Sequence, residues 1–143
     1  MIAGIDIRAL VPHAGAMCLL DTVESWDGER VTLVTRSHAR LDNPLRRNGR
    51  LAAICLCEYG AQAMAVHGAL VARAGGAMRP GGLLVSLRDV TLADARVETL
   101  HGELQVDAWR LAVGAGGLQY RFRVLHAGSE LAQGRATVLE SRS

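Results

Sequence analysis

The chain has 143 residues, a formal net charge of +2 and a hydrophobic content of 50%. This length is sufficient for one domain with a sizeable core, and the charged fraction of 21% argues against a disordered chain. The small net charge and the aromatic content of 3% argue against a nucleic-acid partner. All 16 basic residues are arginines, which excludes chemistry that needs a lysine amine.

Three cysteines are present, Cys18, Cys55 and Cys57. Their odd number does not fit a disulfide framework, and two positions that lie two apart on a helix point in different directions. We therefore expect small buried hydrophobic residues, with no metal site and no cofactor. The N-terminal residues lack the pattern of a secretion signal, so we expect a cytoplasmic protein without a membrane partner.

In chain order, residues 1–16 form a short lead-in that contains proline and glycine. The apolar residues 17–23 predict a first strand, and the Trp-Asp-Gly sequence at 26–28 predicts a turn. Alternation with a period of two predicts a second strand over residues 30–37, paired with the first.

Residues 38–50 predict a loop, because Asn-Pro and Asn-Gly pairs both interrupt regular structure. Residues 51–74 predict one long helix that ends at a glycine pair. The remaining residues predict about four strands: a β-rich run at 83–92, followed by alternating segments separated by glycine turns at 114–117 and 127–129.

A helix that is apolar around its circumference and strands with one apolar face have few ways to pack together. We predict an α+β hotdog fold, in which a curled antiparallel sheet of five to six strands wraps around one long buried helix. Residues 1–143 are expected to form a single domain of this kind. One sheet cannot cover such a helix and the edge strands need pairing, so we also expect dimerisation.

The first 22 residues of the predicted helix carry one formal charge, that of Glu58. A carboxylate in an apolar helix is costly unless something binds or protonates it, and burial favours the proton-carrying form, which suits a general acid or base. The structural alternative is a carboxylate that accepts backbone amides or pairs with an arginine. Helical spacing places six other residues on the same face of the helix as Glu58: Leu51, Ile54, Cys55, Gln62, Ala65 and Ala69.

A histidine is the expected partner of this glutamate, because its pKa lies near the working range. His13 is preferred, since Pro12 fixes a bend beside it and the small residues 14–16 allow a ligand to approach. A role as a loop anchor is an equal alternative for His13. His67 lies about 180° around the helix from the glutamate. The less suitable candidates are His38, His101 and His126.

Two segments resemble motifs of the β-hydroxyacyl-acyl-carrier-protein dehydratase group of hotdog proteins. They are PHAGAMCLLD, Pro12 to Asp21, and EYGAQA, Glu58 to Ala63. The resemblance runs from residue 10 to about residue 140 and is closest to the variant subgroup associated with aryl-polyene pigment clusters. In this family the Glu-x-x-x-Gln element lies on the central helix and its glutamate is catalytic, which implies the same role for Glu58.

The chain departs from that family in the loop before the helix. The main dehydratase family carries its catalytic histidine there, in a Gly-His-Phe-Pro-Gly motif, whereas residues 48–52 read Asn-Gly-Arg-Leu-Ala. Either His13 has taken over the role of that histidine, or the chain has lost the activity.

The resemblance implies dehydration of a β-hydroxyacyl thioester, carried by acyl carrier protein or coenzyme A, to the trans-2-enoyl thioester in fatty-acid-like or polyene biosynthesis. This reaction needs a base and an acid, and we expect His13 to be the base and Glu58 the acid. Backbone amides at the start of the helix could polarise the thioester carbonyl. The residues expected to bind substrate are Gln62, Leu51, Ala52 and Ile54.

Arg46, Arg47 and Arg50 lie in the loop beside the expected site entrance. They indicate either a solvated loop or a docking patch for an acidic acyl carrier protein or its phosphate. Two other functions remain open, an acyl-thioester hydrolase of the same fold and a non-catalytic partner subunit of another hotdog dehydratase. The dimer is expected to be a homodimer or a heterodimer with a second hotdog protein.

Overall fold

A computed structural model describes residues 5–10, 15–75, 82–114 and 117–140 of the chain. Some sequence positions discussed above lie outside these residues, among them Pro12 and His13. All structural statements below concern the described residues.

Six strands form one antiparallel sheet, and one helix packs across it. The strands are β1 (Thr22–Trp26), β2 (Arg30–Thr35), β3 (Gly82–Leu92), β4 (Leu104–Gly114), β5 (Gly117–His126) and β6 (Ser129–Glu140), in the spatial order β1-β2-β4-β5-β6-β3. The helix α1 (Leu56–Ala74) contacts β2, β4, β5 and β6. Short 3₁₀ turns span Ile7–Ala9, Gly15–Met17, Ser37–Ala39, Ala53–Cys55 and Val97–Thr99. The predicted hotdog fold is confirmed, including its order of two strands, one helix and four strands.

The core lies between α1 and the inner face of the sheet. Period-two alternation sends every second strand residue toward the helix, and these residues are apolar. Fully buried apolar residues of β2, β4 and β5 include Val31, Leu33, Leu104, Val106, Ala108, Phe122 and Val124.

Phe122, the only phenylalanine of the chain, is packed between two glycines, one on the helix and one on a strand. A Cβ atom at Gly60 would lie 2.5 Å from Cγ and 2.8 Å from Cε1 of the Phe122 ring. A Cβ atom at Gly134 would lie 2.9 Å from Cε2 on the other side. The absence of side chains at these two positions therefore lets α1 and β6 close on the ring.

Two of the three turns that the sequence predicts between strands are confirmed, whereas the middle of the third, residues 115–116, lies outside the described residues. The side chain of Asp27 accepts hydrogen bonds from the amides of Glu29 (2.8 Å) and Arg30 (2.9 Å), which closes the β1–β2 turn. Ala127 and Gly128 have φ angles of +49° and +82°, as a two-residue hairpin loop between twisted strands requires.

The predicted strand over residues 17–23 is wrong in its first half, because β1 begins only at Thr22. The backbone of Leu19 is satisfied by side chains instead of by a neighbouring strand. Its amide donates to Oε1 of Gln62 (3.0 Å), and its carbonyl accepts from the hydroxyls of Thr35 (2.5 Å) and Ser37 (2.6 Å). An apolar run can thus be extended and buried without belonging to the sheet.

In this chain taken alone the helix is buried on most sides but not on all, in agreement with the expectation that one sheet cannot cover it. Ile54 is 56% exposed, and a stripe that continues from it at helical spacing is only half buried: Glu58, Ala61, Ala65 and Gly68. The segment Ala53–Ala74 has the length and hydropathy of a membrane span, with a mean hydropathy of 1.2. However, 61% of that apolar window is buried inside the structure, as in a core helix of a soluble protein.

Strand β3 forms one edge of the described sheet and pairs with β6. Its register is interrupted twice, between Leu84 and Ser86 and between Arg88 and Thr91, and Asp89 adopts a φ of +54° in the second interruption. Apolar side chains on this edge strand are more than one-third exposed: Leu87, Val90 and Leu92.

Candidate functional site

The candidate site is built around Glu58, which lies in the first turn of α1 and is half buried. Ile54 precedes it by one helical turn and is exposed, and Ala61 follows it by one turn and is half buried. The carboxyl group therefore lies on an otherwise apolar stripe that a ligand can reach. Its place in the first turn puts it near the positive end of the helix dipole.

Gln62, one turn further along α1, holds Glu58 and a distant chain segment together. Its Nε2 atom donates to Oε1 of Glu58 (3.3 Å) and to the carbonyl of Met17 (2.7 Å). Its Oε1 atom accepts from the amide of Leu19 (3.0 Å). The side-chain amide is thus fully engaged, and Gln62 is only 1% exposed.

The sequence suggests that Gln62 contacts the substrate, whereas in the structure its side chain is buried and bonded to other parts of the chain. Its buried amide positions the carboxyl of Glu58 and fixes residues 17–19, which follow His13 in the chain after three residues. The predicted proximity of Glu58 and Gln62 is present in the structure. The position of His13 itself lies outside the described residues.

The start of the helical segment is held by a second contact across the chain. The amide of Leu51 donates to Oε1 of Glu98 (2.8 Å), and this bond is the main cause that lowers the pKa of the Glu98 carboxyl. Leu51 is fully buried and its amide is occupied, so it is not available to a thioester oxygen. The exposed residues at this end are Ala52 and Ile54. The amides of Ala53 and Ile54 are the first of the 3₁₀ turn, so no carbonyl of the helical segment precedes them by one turn and accepts from them.

The tyrosine next to Glu58 anchors the preceding loop to the helix. The hydroxyl of Tyr59 bonds with Oγ of Ser37 (2.8 Å) and accepts from Nδ2 of Asn43 (3.0 Å). Burial raises the pKa of Tyr59, which keeps the hydroxyl neutral. The sequence analysis missed this network, although its signal was available in a tyrosine placed inside the EYGAQA motif and an asparagine placed in an otherwise exposed loop.

The three loop arginines do not form a single patch. Arg47 and Arg50 are exposed and pair with each other through their backbones across a two-residue turn, in which Asn48 and Gly49 have φ angles of +52° and +75°. Arg46 is half buried, and its guanidinium donates to the carbonyl of His38 (3.2 Å). The loop therefore presents two arginines to solvent and turns the third onto its own backbone.

Two histidines are buried in the structure and bond to partners of their own. Nε2 of His38 bonds with the carbonyl of Leu100 (2.9 Å), and burial lowers the pKa of His38. His67 bonds through Nε2 with the carbonyl of Asp27 (2.9 Å) and through Nδ1 with the hydroxyl of Tyr120 (2.7 Å). Burial lowers the pKa of His67 as well, so both rings are neutral and serve the core.

The other predicted residue types have simple surroundings. His101 is exposed, and its backbone carbonyl bonds with Nε2 of half-buried His126 (2.6 Å). All three cysteines are free thiols; Cys18 and Cys57 are buried as predicted, whereas Cys55 is half buried. Among the described residues, no three histidine, cysteine, aspartate or glutamate side chains are grouped closely enough to hold a metal ion.

Comparison with solved structures shows the same fold in proteins of low sequence identity. The dehydratase heterocomplex ApeI:P from Xenorhabdus doucetiae matches with a TM-score of 0.83 and 18% identity, over 98% of this chain and 93% of that chain. AziG of S. sahachiroi matches with a TM-score of 0.65 and 19% identity, over 94% and 99%. Zebra fish thioesterase superfamily member 2 matches with a TM-score of 0.64 and 16% identity, over 93% and 92%.

These structures share the hotdog fold and differ in activity, so structural likeness alone identifies the architecture. No curated protein sequence matches the chain at a significant level. The family model of the ApeP-like proteins, described as ApeP dehydratase, matches residues 5–143, a range that includes the Glu58 and Gln62 site. The predicted resemblance to hotdog dehydratases is thereby confirmed, and the chain belongs to the ApeP-like family of dehydratases.

Proposed function

We propose that the chain removes water from a β-hydroxyacyl thioester and forms the trans-2-enoyl thioester, as a cytoplasmic step of fatty-acid-like or polyene biosynthesis. The observation that carries this proposal is the carboxyl of Glu58, held by Gln62 on a half-exposed apolar stripe of the central helix. The chain belongs to a dehydratase family, which supports this class of reaction. An apolar stripe also suits an acyl chain that lies beside the reacting carbons.

The chemistry assigns one proton transfer to each of two residues. His13 takes the proton from the α-carbon, and the released electron pair forms the new double bond to the β-carbon. The bond between the β-carbon and its hydroxyl breaks, and Glu58 donates a proton so that the hydroxyl leaves as water. Negative charge gathers on the thioester oxygen during this step, and the amide of exposed Ile54 at the start of the helical segment would stabilise it.

We further propose that the chain works in a pair with a second hotdog protein. The structurally similar ApeI:P dehydratase is described as a heterocomplex. In the present chain, the edge strand β3 carries exposed apolar side chains that a second chain would bury. A homodimer is the competing arrangement, and the mass of the purified complex distinguishes the two.

The exposed pair Arg47 and Arg50 supports docking of a carrier protein. The hairpin turn fixes both side chains close together near the helix start, where a carrier's phosphate or acidic surface would meet two guanidinium groups. Replacing both arginines by glutamate should raise KM for a carrier-bound substrate while kcat stays unchanged. An unchanged KM would exclude this turn as the docking point.

The deciding experiment follows enoyl formation spectrophotometrically with a short β-hydroxyacyl carrier thioester. Glu58→Gln keeps the shape of the side chain and its hydrogen bonds but removes the acid, so turnover should fall by about 10²–10⁴-fold. Glu24→Gln, at an exposed position on β1, is the matched control and should retain full activity. Thermal unfolding of both variants shows whether the fold is intact.

The remaining outcomes separate the alternatives. Full activity of a folded Glu58→Gln protein would refute the assignment of the acid. Release of free thiol without enoyl product would identify an acyl-thioester hydrolase. Activity that appears only after addition of a second hotdog protein, and that Glu58→Gln does not reduce, would identify a non-catalytic partner subunit.

A further inference from the structure

A row of arginines crosses the outer face of the sheet, opposite the helix. The strand registers place Arg30, Trp109, Arg121, Arg135 and Arg88 directly beside one another on β2, β4, β5, β6 and β3. Directly paired residues point to the same face of a sheet, and neighbours of the row on β2, β4 and β5 are buried in the core: Val31, Ala108 and Phe122. With a strand spacing of about 4.8 Å, the row extends over roughly 19 Å.

The tryptophan in this arginine row is surrounded by cations. The guanidinium carbons of Arg30 and Arg121 each lie 5.7 Å from the centre of the Trp109 ring, and that of Arg123 lies 4.9 Å from it. Such contacts favour a cation above an aromatic ring and hold a flexible arginine in place. The Trp109 ring therefore holds three guanidinium groups close to one another, those of Arg30, Arg121 and Arg123.

No arginine of the row forms an ion pair with a carboxylate within the described part of the chain. At one end of the row, the pKa of Asp27 is lowered by hydrogen bonds from the amides of Glu29 and Arg30 and also by the charge of Arg30. The carboxylate of Asp107, on β4 beside the row, is fully buried; it accepts from Arg123 (2.8 Å) and from the hydroxyl of Thr32 (2.7 Å). The exposed arginines of the row have neutral partners: Arg30 donates to Thr32, Arg88 to Gln119, and Arg121 to Gln133.

Like charges that face each other across paired strands destabilise a sheet, and Arg121, Arg135 and Arg88 occupy three adjacent strands. A solvated sheet face would normally alternate acidic and basic residues. Four aligned arginines with no acidic residue between them in the row form a surface that suits a negatively charged partner.

We propose that the arginine row is a docking surface for an acidic helix of another protein. Carboxylates four residues apart on a helix are about 6 Å from each other, so a helix of about 13 residues presents a line of acidic groups as long as the row. Arginine binds carboxylates with two parallel hydrogen bonds, which fixes the direction of such a helix. The surface lies across the sheet from Glu58, so docking there leaves the reaction site open.

Two other partners fit the row less well. Single-stranded nucleic acid needs exposed aromatic faces on which bases stack, whereas the faces of Trp109 meet guanidinium groups, and the net charge of the whole chain is only +2. A second copy of this chain would oppose one arginine row to another and be repelled.

The test measures binding of the full chain to a fluorescent alanine-based helix of about 16 residues with glutamate at every fourth position. Arg121→Glu/Arg135→Glu should weaken binding at least tenfold. Arg8→Glu/Arg73→Glu, at exposed positions near the C-terminal end of α1, is the matched control, because both variants change the net charge from +2 to −2. The control should bind within about twofold of the original chain, and added salt should weaken all binding.

Equal weakening of binding in both double variants would overturn the proposal, because it would show that binding depends on the net charge of the protein and not on the arginine row. Tighter binding of an oligodeoxythymidine of about 20 nucleotides than of the acidic helix would overturn it in favour of nucleic acid. Absence of binding to the acidic helix at low salt would also overturn it. Arg121→Gln/Arg135→Gln provides a second variant, with circular dichroism as the check of folding, in case the charge reversal prevents folding.

Discussion

Three hydrogen bonds meet on the buried amide of Gln62, and their removal has a calculable effect. Gln62→Met keeps the length of the side chain but leaves the amide of Leu19 and the carbonyl of Met17 without their partner. Leu19 is fully buried, so its unsatisfied amide should cost about 1–3 kcal/mol. Met17 is half buried and its carbonyl can recruit water, so about 1 kcal/mol is expected there. The free energy of unfolding should therefore fall by about 2–4 kcal/mol, and Tm by roughly 10 °C.

The same substitution should slow the reaction, because Glu58 loses the donor that orients it. The bond from Nε2 of Gln62 to Oε1 of Glu58 is long, at 3.3 Å, which limits its contribution. We expect a loss of about 1.4 kcal/mol of transition-state stabilisation, which is about tenfold in kcat. Urea unfolding measures the first effect, and the enoyl assay measures the second.

Two further variants make this experiment decisive. Gln62→Glu would place a buried carboxyl against the carboxyl of Glu58 and the carbonyl of Met17, so at neutral pH it should recover neither the stability nor the kcat that Gln62→Met loses. Gln119→Met, on the outer face of the sheet, is the matched control. A Gln62→Met protein with unchanged unfolding free energy and unchanged kcat would refute the positioning role.

Two other predictions concern the core. Gly60→Ala would ordinarily favour a helix by about 1 kcal/mol, but its Cβ would overlap the ring of Phe122, so we expect a net destabilisation of about 1–3 kcal/mol in urea unfolding. Phe122→Leu should reduce the effect of Gly60→Ala, and strictly additive losses would contradict the proposed contact. Burial lowers the pKa of His38 and His67 below the ordinary value of 6.5, so the stability that depends on their neutral forms is fully present above pH 6.5 and is lost as the pH falls below it. The unfolding free energy should drop by up to about 2.7 kcal/mol per pH unit below this value, and His67→Gln should reduce the slope by about half; an unchanged slope would count against the burial of His67.

Local patterns determined much of the fold, which is why the sequence predicted it. The β1–β2 turn depends on Asp27, whose side chain bonds with the next residues in the chain, and such contacts are visible in a short segment. The proximity of Glu58 and Gln62 follows from helical spacing alone. The C-terminal end of the central helix and the three C-terminal strands followed from periodicity in the same way. The start of the helix did not, because α1 begins at Leu56 and not at residue 51, after a 3₁₀ turn at Ala53–Cys55.

The failures concern contacts between distant residues. The apolar run at 17–23 resembles a strand, but the partners of Leu19 are the side chains of Gln62, Thr35 and Ser37, which lie 43, 16 and 18 residues away. No local pattern reveals that a side-chain amide will replace a strand. The full extent of the arginine row was hidden for the same reason, since it required the register of five strands.

The irregular edge of β3 has a consequence for which strands can be added to this sheet. A regular edge offers evenly spaced donors and acceptors, which any extended chain can match. Along β3 the spacing changes at two points, and the backbone at Asp89 turns into a left-handed conformation. An added strand without the same interruptions would lose its hydrogen-bond register with these groups after a few residues. The edge therefore selects partners by backbone shape, and it resists the indiscriminate strand addition that leads to amyloid-like aggregates.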